Sequence, residues 1–368
     1  MVIGIDASKI AREEKTGTEN YSYNLIKALI TLDKKNRYVL YFNKIPQFFE
    51  IDQPNVSTRI IPSPRFWTQG RLAFEVFLRP PDVLFVPAHT MPVIRRLGVR
   101  TVVTIHDLGA EFLAEYHKFP QKIYLNWSTR YIASKAAHII SVSKFTKAEL
   151  NRTLKVPNNR VTVVYEATNR KLFYPRTKHE TAQARAKYGL AGKYFLYVGT
   201  IQPRKNLVRL IEAFSKARLE HTDLVLVGSK GWLYDEIYKA PEKFGVSNHV
   251  RFLDYVPDED LPSLYSGALG LVFPSLYEGF GLPILEAFAC GCPVLTSGIG
   301  AMAEIAGVAA LFVDPLDVKS ISQGIKKLSE KDEIRERLIQ KGNLRVGDFA
   351  WEKAAKETLK VLEKVYEQ

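Results

Sequence analysis

The amino-acid sequence predicts an α/β protein with parallel sheets, divided into two domains. Short apolar runs typical of strands alternate with amphipathic helical runs almost from end to end, and this alternation favours parallel sheets covered by helices. The 368 residues suit two domains of roughly 150 residues each. A polar, basic stretch without strand character separates two such series. We therefore expect a first domain over residues 1–173, a linker over 174–191, a second domain over 192–348 and a final helix over 349–368.

The composition is that of an ordinary globular protein, with 46% apolar and 25% charged residues. No apolar run approaches the ~20 residues that a membrane-spanning helix needs. The chain starts directly on a strand, so we expect no signal peptide and a cytoplasmic location. Its two cysteines, Cys290 and Cys292, are too few for a disulfide framework or a metal cluster. We expect both to be packing residues.

The positive charge is concentrated in the first half of the chain. The net charge is +13, and residues 1–170 hold 25 Lys and Arg against 14 Asp and Glu. Such a surface suits nucleic acid or an anionic membrane. The sequence lacks a helix-turn-helix, a zinc finger and an aromatic RNA-binding strand, so we expect no nucleic-acid partner. Peripheral contact with an anionic membrane stays open, and so does a charge that serves only solubility.

The first domain begins with a strand over residues 2–7 and a polar loop over 8–18 that contains Gly17. Thr18 or Asn20 can cap the helix that follows, to about residue 32. Because α/β sheets bind ligands at loops between strand and helix ends, Gly17 is a candidate binding residue, although an ordinary loop glycine would look the same. Further strands are expected at 38–43, 59–62, 82–87, 101–105, 138–142 and 160–165, and helices at 71–79, 120–136 and 143–154.

His106 and Asp107 follow the buried strand at 101–105 directly. A His-Asp pair at the carboxyl end of a parallel strand is well placed for a binding crevice, but a structural histidine would fit the same position. The aromatic, amphipathic residues 110–119 could form a lip for an acceptor or a membrane. Core packing explains them equally well.

The second domain restarts with a strand over 194–199, followed by the loop G-T-I-Q-P-R-K-N over 199–206. Arg204 and Lys205 lie in this loop, before a helix whose apolar residues fall on one face. Arg can clamp phosphate oxygens in pairs and Lys can act as a point charge, but both could be solvated loop charges. Further strands are expected at 224–228, 250–256, 269–274 and 293–297, and helices at 261–268, 282–290 and 317–344.

Asp258 and Asp260 form an Asp-x-Asp spacing that can bind a metal. They directly precede the helix at 261–268, so capping of that helix explains them better. We therefore expect no catalytic metal and no cofactor. The run from Gly298 to Ala303 fits a G-x-G-x-x-A dinucleotide pattern only weakly. It is better explained as a loop that lines the phosphate side of a binding cleft.

The second domain is organised around residues 278–286, E-G-F-G-L-P-I-L-E, between a strand and a helix. Gly279 and Gly281 permit positive φ, and Pro283 suits the first turn of the helix. Loop N–H groups and the helix dipole favour a phosphate, whereas Glu278 and Glu286 suit hydroxyls. These features together describe a nucleotide-sugar site. The alternative is a tight structural turn with two solvated glutamates.

This stretch, continued by A-F-A-C-G-C-P-V-L, resembles the signature of the retaining glycosyltransferases of family 4. The resemblance extends in order over nearly the whole chain, including the His-Asp pair and G-T-I-Q-P-R-K-N. It implies the GT-B fold: two doubly wound Rossmann-like domains facing across a cleft, with the last helix packing back on the first domain. The chain departs from the family at residues 166–169, where E-A-T-N replaces an Asn-Gly-Val-Asp turn.

The resemblance also implies site roles. Lys205, with Arg204, would bind the donor diphosphate, Glu278 the donor sugar hydroxyls and Glu286 the ribose. His106 would contact the transferred sugar, with Asp107 orienting its imidazole. The expected catalytic residues are His106, Lys205, Arg204 and Glu278, and the expected donor-binding residues are Gly17, Arg204, Lys205, Glu278, Phe280, Gly281, Leu282 and Glu286.

The reaction implied is transfer of a hexosyl group, with retention and without metal, from a nucleotide diphosphate sugar to a hydroxyl of a glycan or lipid-linked acceptor. The motifs resemble the mannosyltransferase branch most, so GDP-mannose is the favoured donor. A UDP-sugar-dependent transferase, a sugar-nucleotide epimerase of the same architecture and a non-catalytic nucleotide-binding scaffold are the alternatives.

Overall fold

A computed structural model of the chain describes residues 1–11, 17–47, 49, 53–63, 66–109 and 121–368. These residues form two compact units. Unit 1 contains the described residues up to Ala167 together with Ala350–Gln368. Unit 2 contains Thr168–Phe349. Both units are α/β structures around a parallel sheet, which confirms the predicted fold class.

Unit 1 is built on a seven-stranded sheet in the order β3-β2-β1-β4-β5-β6-β7, with every neighbouring pair parallel. The strands at Val83–Val86 and His138–Ser141 are buried along their whole length, as expected for a parallel sheet covered on both faces. The strands are β1 (Val2–Asp6), β2 (Arg37–Phe42), β3 (Val56–Ile60), β4 (Val83–Val86), β5 (Arg100–Ile105), β6 (His138–Ser141) and β7 (Val161–Val163).

The helices of unit 1 cover this sheet, and the last helix of the chain is among them. The final helix packs on α1 and also contacts β4, β5 and β6. A π-helical turn, Thr68–Leu72, leads directly into α2. The helices are α1 (Gly17–Leu32), α2 (Ala73–Leu78), α3 (Gln121–Lys135), α4 (Lys144–Leu154) and, at the end of the chain, α13 (Trp351–Glu367).

Unit 2 is built on a six-stranded sheet in the order β10-β9-β8-β11-β12-β13, again with parallel neighbours. The strands are β8 (Lys193–Val198), β9 (Thr222–Val227), β10 (Val250–Phe252), β11 (Gly270–Phe273), β12 (Val294–Ser297) and β13 (Ala310–Val313). The helices are α5 (Lys178–Lys187), α6 (Leu207–Ala217), α7 (Asp235–Lys243), α8 (Leu261–Gly267), α9 (Leu282–Ala289), α10 (Gly300–Ala306), α11 (Val318–Glu330) and α12 (Asp332–Arg345).

Each sheet has a point at which the strand order reverses. In unit 1 this point lies between β1 and β4, and in unit 2 between β8 and β11. Ligands of doubly wound sheets bind beside the carboxyl ends of the strands at such points. The loops after β8 and β11 carry Lys205 and Glu278, and the loop after β1 leads to Gly17. The predicted site residues Lys205, Glu278 and Gly17 therefore follow strands that lie at these two points.

The predicted linker at 174–191 is wrong. This stretch contains α5, which belongs to unit 2 and packs against α8. A capping box between Thr177 and Glu180 starts the helix, because each side chain bonds the other's backbone N–H. The first unit also ends earlier than predicted, at Ala167 instead of residue 173.

Two predicted helix caps are also wrong. The helix α1 begins at Gly17, so Thr18 and Asn20 lie inside it. Asp260 does stand directly before α8, but its side chain caps nothing. Its carboxylate instead accepts hydrogen bonds from Lys187 Nζ (2.6 Å) and Tyr188 Oη (2.5 Å), and so ties α5 to the start of α8.

The lip predicted at residues 110–119 lies outside the described residues. In the part of the chain that the structure describes, no helix is both long and apolar enough to cross a bilayer.

Candidate active site

Lys205, Arg204 and Glu278 come together at the switch point of unit 2. Lys205 ends a short 3-10 turn after β8, and Glu278 lies in the loop between β11 and α9. Lys205 Nζ donates to Glu278 Oε1 at 2.5 Å, and the two side chains are 9% and 8% exposed. Arg204 Nη1 lies 3.8 Å from Glu278 Oε2. The site therefore holds a buried ion pair with a second cation beside it.

Backbone and side-chain hydrogen bonds join the two loops that carry this pair. Leu276 N donates to the carbonyl of Arg204 at 2.9 Å. The Asn206 amide donates to the carbonyls of Pro274 (3.0 Å) and Pro315 (2.6 Å). Breaking one partner out of such a buried pair is costly, because the remaining charge is left without compensation. The geometry thus fixes opposite charges at one sheet edge.

Glycines let neighbouring strand ends approach closely at this edge. Gly199 follows β8 and Gly228 follows β9, with φ of 147° and 146°. A Cβ on Gly228 would lie 2.1 Å from the Gly199 carbonyl oxygen, far inside any permitted contact.

Burial, aided by the negative charge of Glu278, raises the pKa of Tyr197 well above its ordinary value, so its phenol stays neutral.

The loop over 278–281 matches its prediction in part. Gly281 has φ of 109°, and Pro283 lies in the first turn of α9 as predicted. Gly279, which also permits a positive φ, does not adopt one. The Phe280 ring is buried and packs edge-on against Phe349 at 6.0 Å. Any ligand contact from Phe280 would therefore come from its backbone; donor contacts of Phe280, Gly281 and Leu282 remain predictions.

Glu286 lies one turn into α9 and has a different partner. Tyr265 Oη donates to Glu286 Oε2 at 2.8 Å. Burial raises the pKa of Glu286 to about 7, against the lowering effect of the Tyr265 hydrogen bond, and the charge of Asp258 adds to the rise. This carboxyl is therefore poised to change its charge near neutral pH.

His106 is held at the sheet edge of unit 1 by partners on both ring nitrogens. It follows β5 directly, and its Nδ1 lies 2.9 Å from Glu166 Oε1. Its Nε2 lies 3.0 Å from the carbonyl oxygen of Pro87. The prediction that Asp107 orients this imidazole is wrong, because the Asp107 carboxylate accepts instead from Gly109 N at 2.9 Å. Glu166 takes the orienting position at Nδ1.

Two more residues complete this histidine cluster. The His89 ring stacks on His106 with centroids 5.3 Å apart, and its Nε2 accepts from the His106 backbone N–H at 2.9 Å. Tyr21 meets the His106 ring edge-on at 4.6 Å and shares a hydrogen bond with Thr104. Sequence reasoning missed Glu166, His89 and Tyr21 as site residues. The signal for the first two was their position just after β7 and β4, at the same sheet edge as His106.

Burial alone would lower the pKa of His106. The hydrogen bond and negative charge of Glu166, together with the Pro87 carbonyl and the charge of Asp107, outweigh the effect of burial and raise the pKa above its ordinary value.

Gly17, the other predicted residue of unit 1, is the exposed first residue of α1. Nothing described lies within 4 Å of the position its Cβ would take, so its role remains a prediction.

Among the described residues, no three His, Cys, Asp or Glu side chains gather as a metal site would require. The Asp258–Asp260 spacing therefore has no third ligand within that part of the chain.

Two protein families match this chain in sequence. Residues 15–171 match "Glycosyltransferase Family 4", and residues 180–345 match "Glycosyl transferases group 1". The O-antigen chain mannosyltransferase B of Escherichia coli is 37% identical over 264 residues, which cover 71% of this chain and 69% of that protein. The O-antigen chain mannosyltransferase RfbU of Salmonella typhimurium is 28% identical over 242 residues, covering 66% and 63%.

Solved structures match nearly the whole chain at low identity. Sucrose-phosphate synthase from Thermosynechococcus elongatus aligns with a TM-score of 0.78 at 22% identity, covering 99% of both chains. Anabaena HepE, in complex with UDP and glucose, aligns with a TM-score of 0.77 at 17% identity, covering 98% and 99%. These likenesses show the GT-B fold. With the family matches and the 37% identical relative, they establish that the chain is a member of glycosyltransferase family 4, similar to O-antigen mannosyltransferases.

Proposed function

We propose that this glycosyltransferase moves a mannosyl group, with retention, from GDP-mannose to a hydroxyl of a glycan or lipid-linked acceptor. The observation that carries the proposal is the buried Lys205–Glu278 pair beside Arg204, at the strand ends where doubly wound sheets bind ligands. The mannosyltransferases among its relatives support the choice of sugar.

The ion pair provides a way to recognise both the diphosphate and the sugar of a nucleotide sugar. The donor's diphosphate offers Lys205 and Arg204 a stronger anionic partner, with paired hydrogen bonds to the guanidinium. Sugar hydroxyls offer Glu278 donors in exchange for the ammonium. A ligand that carries only one of these groups would leave the other buried charge unpaired, which is costly. The pair thus favours a complete donor over free sugar or inorganic phosphate.

The chemistry then rests on stabilising a departing diphosphate. The bond from the anomeric carbon to the phosphate oxygen breaks as the acceptor oxygen bonds to that carbon on the same face, and the acceptor proton passes to the departing phosphate. Lys205 and Arg204 would neutralise the charge that develops on that phosphate. Glu286 would accept from the ribose hydroxyls, Gly17 and the N–H groups of Phe280, Gly281 and Leu282 would contact the donor, and His106 would contact the transferred sugar. No metal or cofactor enters these steps.

Product analysis tests this proposal directly. Purified protein is incubated with GDP-mannose, with and without a mannose-terminated lipid-linked or synthetic acceptor, and the anomeric configuration of the product is read by NMR. We expect an α-linked product only when acceptor is present. Conversion of the donor without acceptor would favour an epimerase, transfer from UDP-sugars alone would replace the donor, and no turnover of any nucleotide sugar would contradict the proposal.

We further propose that unit 1 contacts an anionic membrane through an apolar and basic surface around residues 93–97. Ile94 is 65% exposed and Leu97 is 99% exposed, on either side of Arg95 and the exposed Arg96. Water-exposed Leu and Ile side chains next to arginines match the chemistry of a membrane interface, where apolar groups enter the bilayer and cations meet the headgroups.

Hydrogen bonds join this loop to an aromatic face of α3. Arg95 Nη1 donates to Tyr131 Oη at 3.1 Å, and Arg95 Nη2 donates to the Lys135 carbonyl at 3.3 Å. The Trp127 ring stacks on Tyr131 with centroids 5.5 Å apart, and it remains 46% exposed. The surface therefore combines exposed aliphatic, aromatic and cationic groups on the unit whose sequence carries most of the positive charge.

Liposome co-sedimentation tests the membrane proposal. We expect the protein to bind vesicles containing phosphatidylglycerol and not neutral phosphatidylcholine vesicles, since each cation near an anionic surface contributes about 1 kcal/mol. Ile94→Ser/Leu97→Ser and Arg96→Glu should each release it. Val308→Ser, which changes an equally exposed apolar residue of unit 2, is the control. Equal binding to both vesicle types, or unchanged binding of the Ile94→Ser/Leu97→Ser variant, would contradict it.

A further inference from the structure

Three strand ends of unit 1 converge on the His106 imidazole. β5 supplies His106 itself, the segment after β4 supplies the Pro87 carbonyl and His89, and the segment after β7 supplies Glu166. The side chains of His106 and Glu166 are 12% and 5% exposed. Glu166 lies in the stretch where this chain departs from the family's Asn-Gly-Val-Asp turn. A carboxylate from the segment after β7 thus holds the strand-end histidine.

The partners of the ring determine where its protons are. Both ring nitrogens face acceptors, a carboxylate oxygen at Nδ1 and a backbone carbonyl at Nε2. A neutral imidazole can donate from only one nitrogen, so satisfying both acceptors requires the imidazolium form. The stacked His89 is different, because its Nε2 accepts a backbone N–H and must therefore carry no proton.

We propose that Glu166 is a positioning residue for sugar transfer, which fixes His106 as an imidazolium between the Glu166 carboxylate and the Pro87 carbonyl. This inference rests on the proposed function for its kinetic consequence, but not for its structural one. Its role is to set the orientation and charge of the histidine. Glu166 itself need not touch the substrate.

Titratable groups face His106 from several elements, and they oppose one another. Glu166 and Asp107 favour the charged ring, whereas burial disfavours it. His89 contributes no charge in the tautomer that its hydrogen bond requires, and burial raises the pKa of Tyr21 above its ordinary value, so that phenol also stays neutral. Glu166 is therefore the group whose removal changes the balance. In Glu166→Gln the amide still accepts from Nδ1–H, but the compensating charge is lost and burial prevails.

A histidine titration followed by NMR tests the structural half without any turnover. The ring signals of ¹³C-labelled histidine are recorded against pH in the wild type, Glu166→Gln, Glu166→Asp and Glu149→Gln, with His106→Asn to assign the signal. Glu149 is a buried carboxylate of the same unit paired with Arg152, so its variant controls for loss of a buried charge. We expect the pKa of His106 to lie above the ordinary 6.5 or so in the wild type and in Glu149→Gln, and below it in Glu166→Gln. An unchanged titration in Glu166→Gln would overturn the inference.

The pH dependence of transfer tests the kinetic half. Relative to wild type, Glu166→Gln should lose about tenfold more activity at pH 8 than at pH 6, because each unit of lowered pKa removes about tenfold of the imidazolium at high pH. Glu166→Asp, which keeps the carboxylate, should recover most of the activity at pH 8. A loss of equal size at every pH would mean a merely structural role and would overturn the inference. Absence of donor turnover in the wild type would instead contradict the proposed function, and the NMR titration separates the two cases.

Discussion

At the residue scale, the site depends on which charges are paired. The sequence predicted Lys205, Arg204 and Glu278 as site residues, and the structure brings them together. It could not reveal that Lys205 and Glu278 bond to each other, since 73 positions separate them along the chain. The same limit explains Asp107, whose neighbourhood in sequence made it the expected partner of His106. The sheet edge supplied Glu166 from 60 positions away.

Removing one member of the buried pair should cost both stability and activity. Lys205→Met removes the cation that is hydrogen-bonded to Glu278, and Arg204 at 3.8 Å compensates only in part, so we expect a loss of about 3 kcal/mol in the free energy of unfolding. Transfer should fall by about 10²–10³, as when one stabilising donor is lost. Urea unfolding and initial rates measure the two effects. The double variant Lys205→Met/Glu278→Gln should recover much of the stability but none of the activity, and a double variant as unstable as the single would show that pairing is not the cause.

Glu286 should make nucleotide binding depend on pH. Its pKa is raised to about 7, and ribose hydroxyls bond best to the ionised carboxylate. Affinity for GDP should therefore increase from pH 6 through pH 7 and level off at about pH 8. Calorimetric titration across this range measures it, with Glu259→Gln on the exposed segment before α8 as control. Glu286→Gln should bind with little dependence on pH; a slope that persists in this variant would assign the titration to another group.

At the scale of elements, most strands and long helices were predictable because their apolar patterns are strong, but the edge strand β13 was not among the expected strands. The helix α5 was missed because it is polar, with Ala184 as its buried residue, and its burial comes from packing on α8. The Thr177–Glu180 capping box was the local sequence signal for this helix. The cap predicted at Asp260 was wrong for a related reason. Lys187 and Tyr188, which are distant in sequence, donate hydrogen bonds to its carboxylate.

The close approach of strand ends should make Gly228 irreplaceable. Gly228→Ala combines a φ that side chains rarely adopt with a Cβ 2.1 Å from the Gly199 carbonyl oxygen. We expect a loss of about 3 kcal/mol or more in unfolding free energy, measured by chemical denaturation. Gly347→Ala, where nothing lies within 4 Å of the new Cβ, should change stability by less than about 1 kcal/mol. Equal stability of the two variants would mean that the strand ends separate easily.

At the scale of the whole molecule, alternating strands and helices predicted both parallel sheets. The position of the domain boundary was harder, because it depends on which sheet a polar segment packs against. The structure assigns Thr168 and all of α5 to unit 2, and α13 at the end of the chain to unit 1. Composition and charge indicated a basic first half, but only the described contacts located the exposed loop at 93–97 that we propose as the membrane surface.

At this scale we propose that unit 2 binds a nucleotide diphosphate sugar through Lys205, Glu278 and Glu286. The most direct measurement is thermal unfolding of the whole protein with GDP, UDP, ADP and their common sugar conjugates. A ligand at about 100 times its Kd adds about 2.7 kcal/mol to stability, which is readily detected. We expect stabilisation by GDP and GDP-mannose, reduced in Lys205→Met relative to that variant's own baseline. Stabilisation by no nucleotide at all would contradict the claim and leave residues 278–286 as a structural turn.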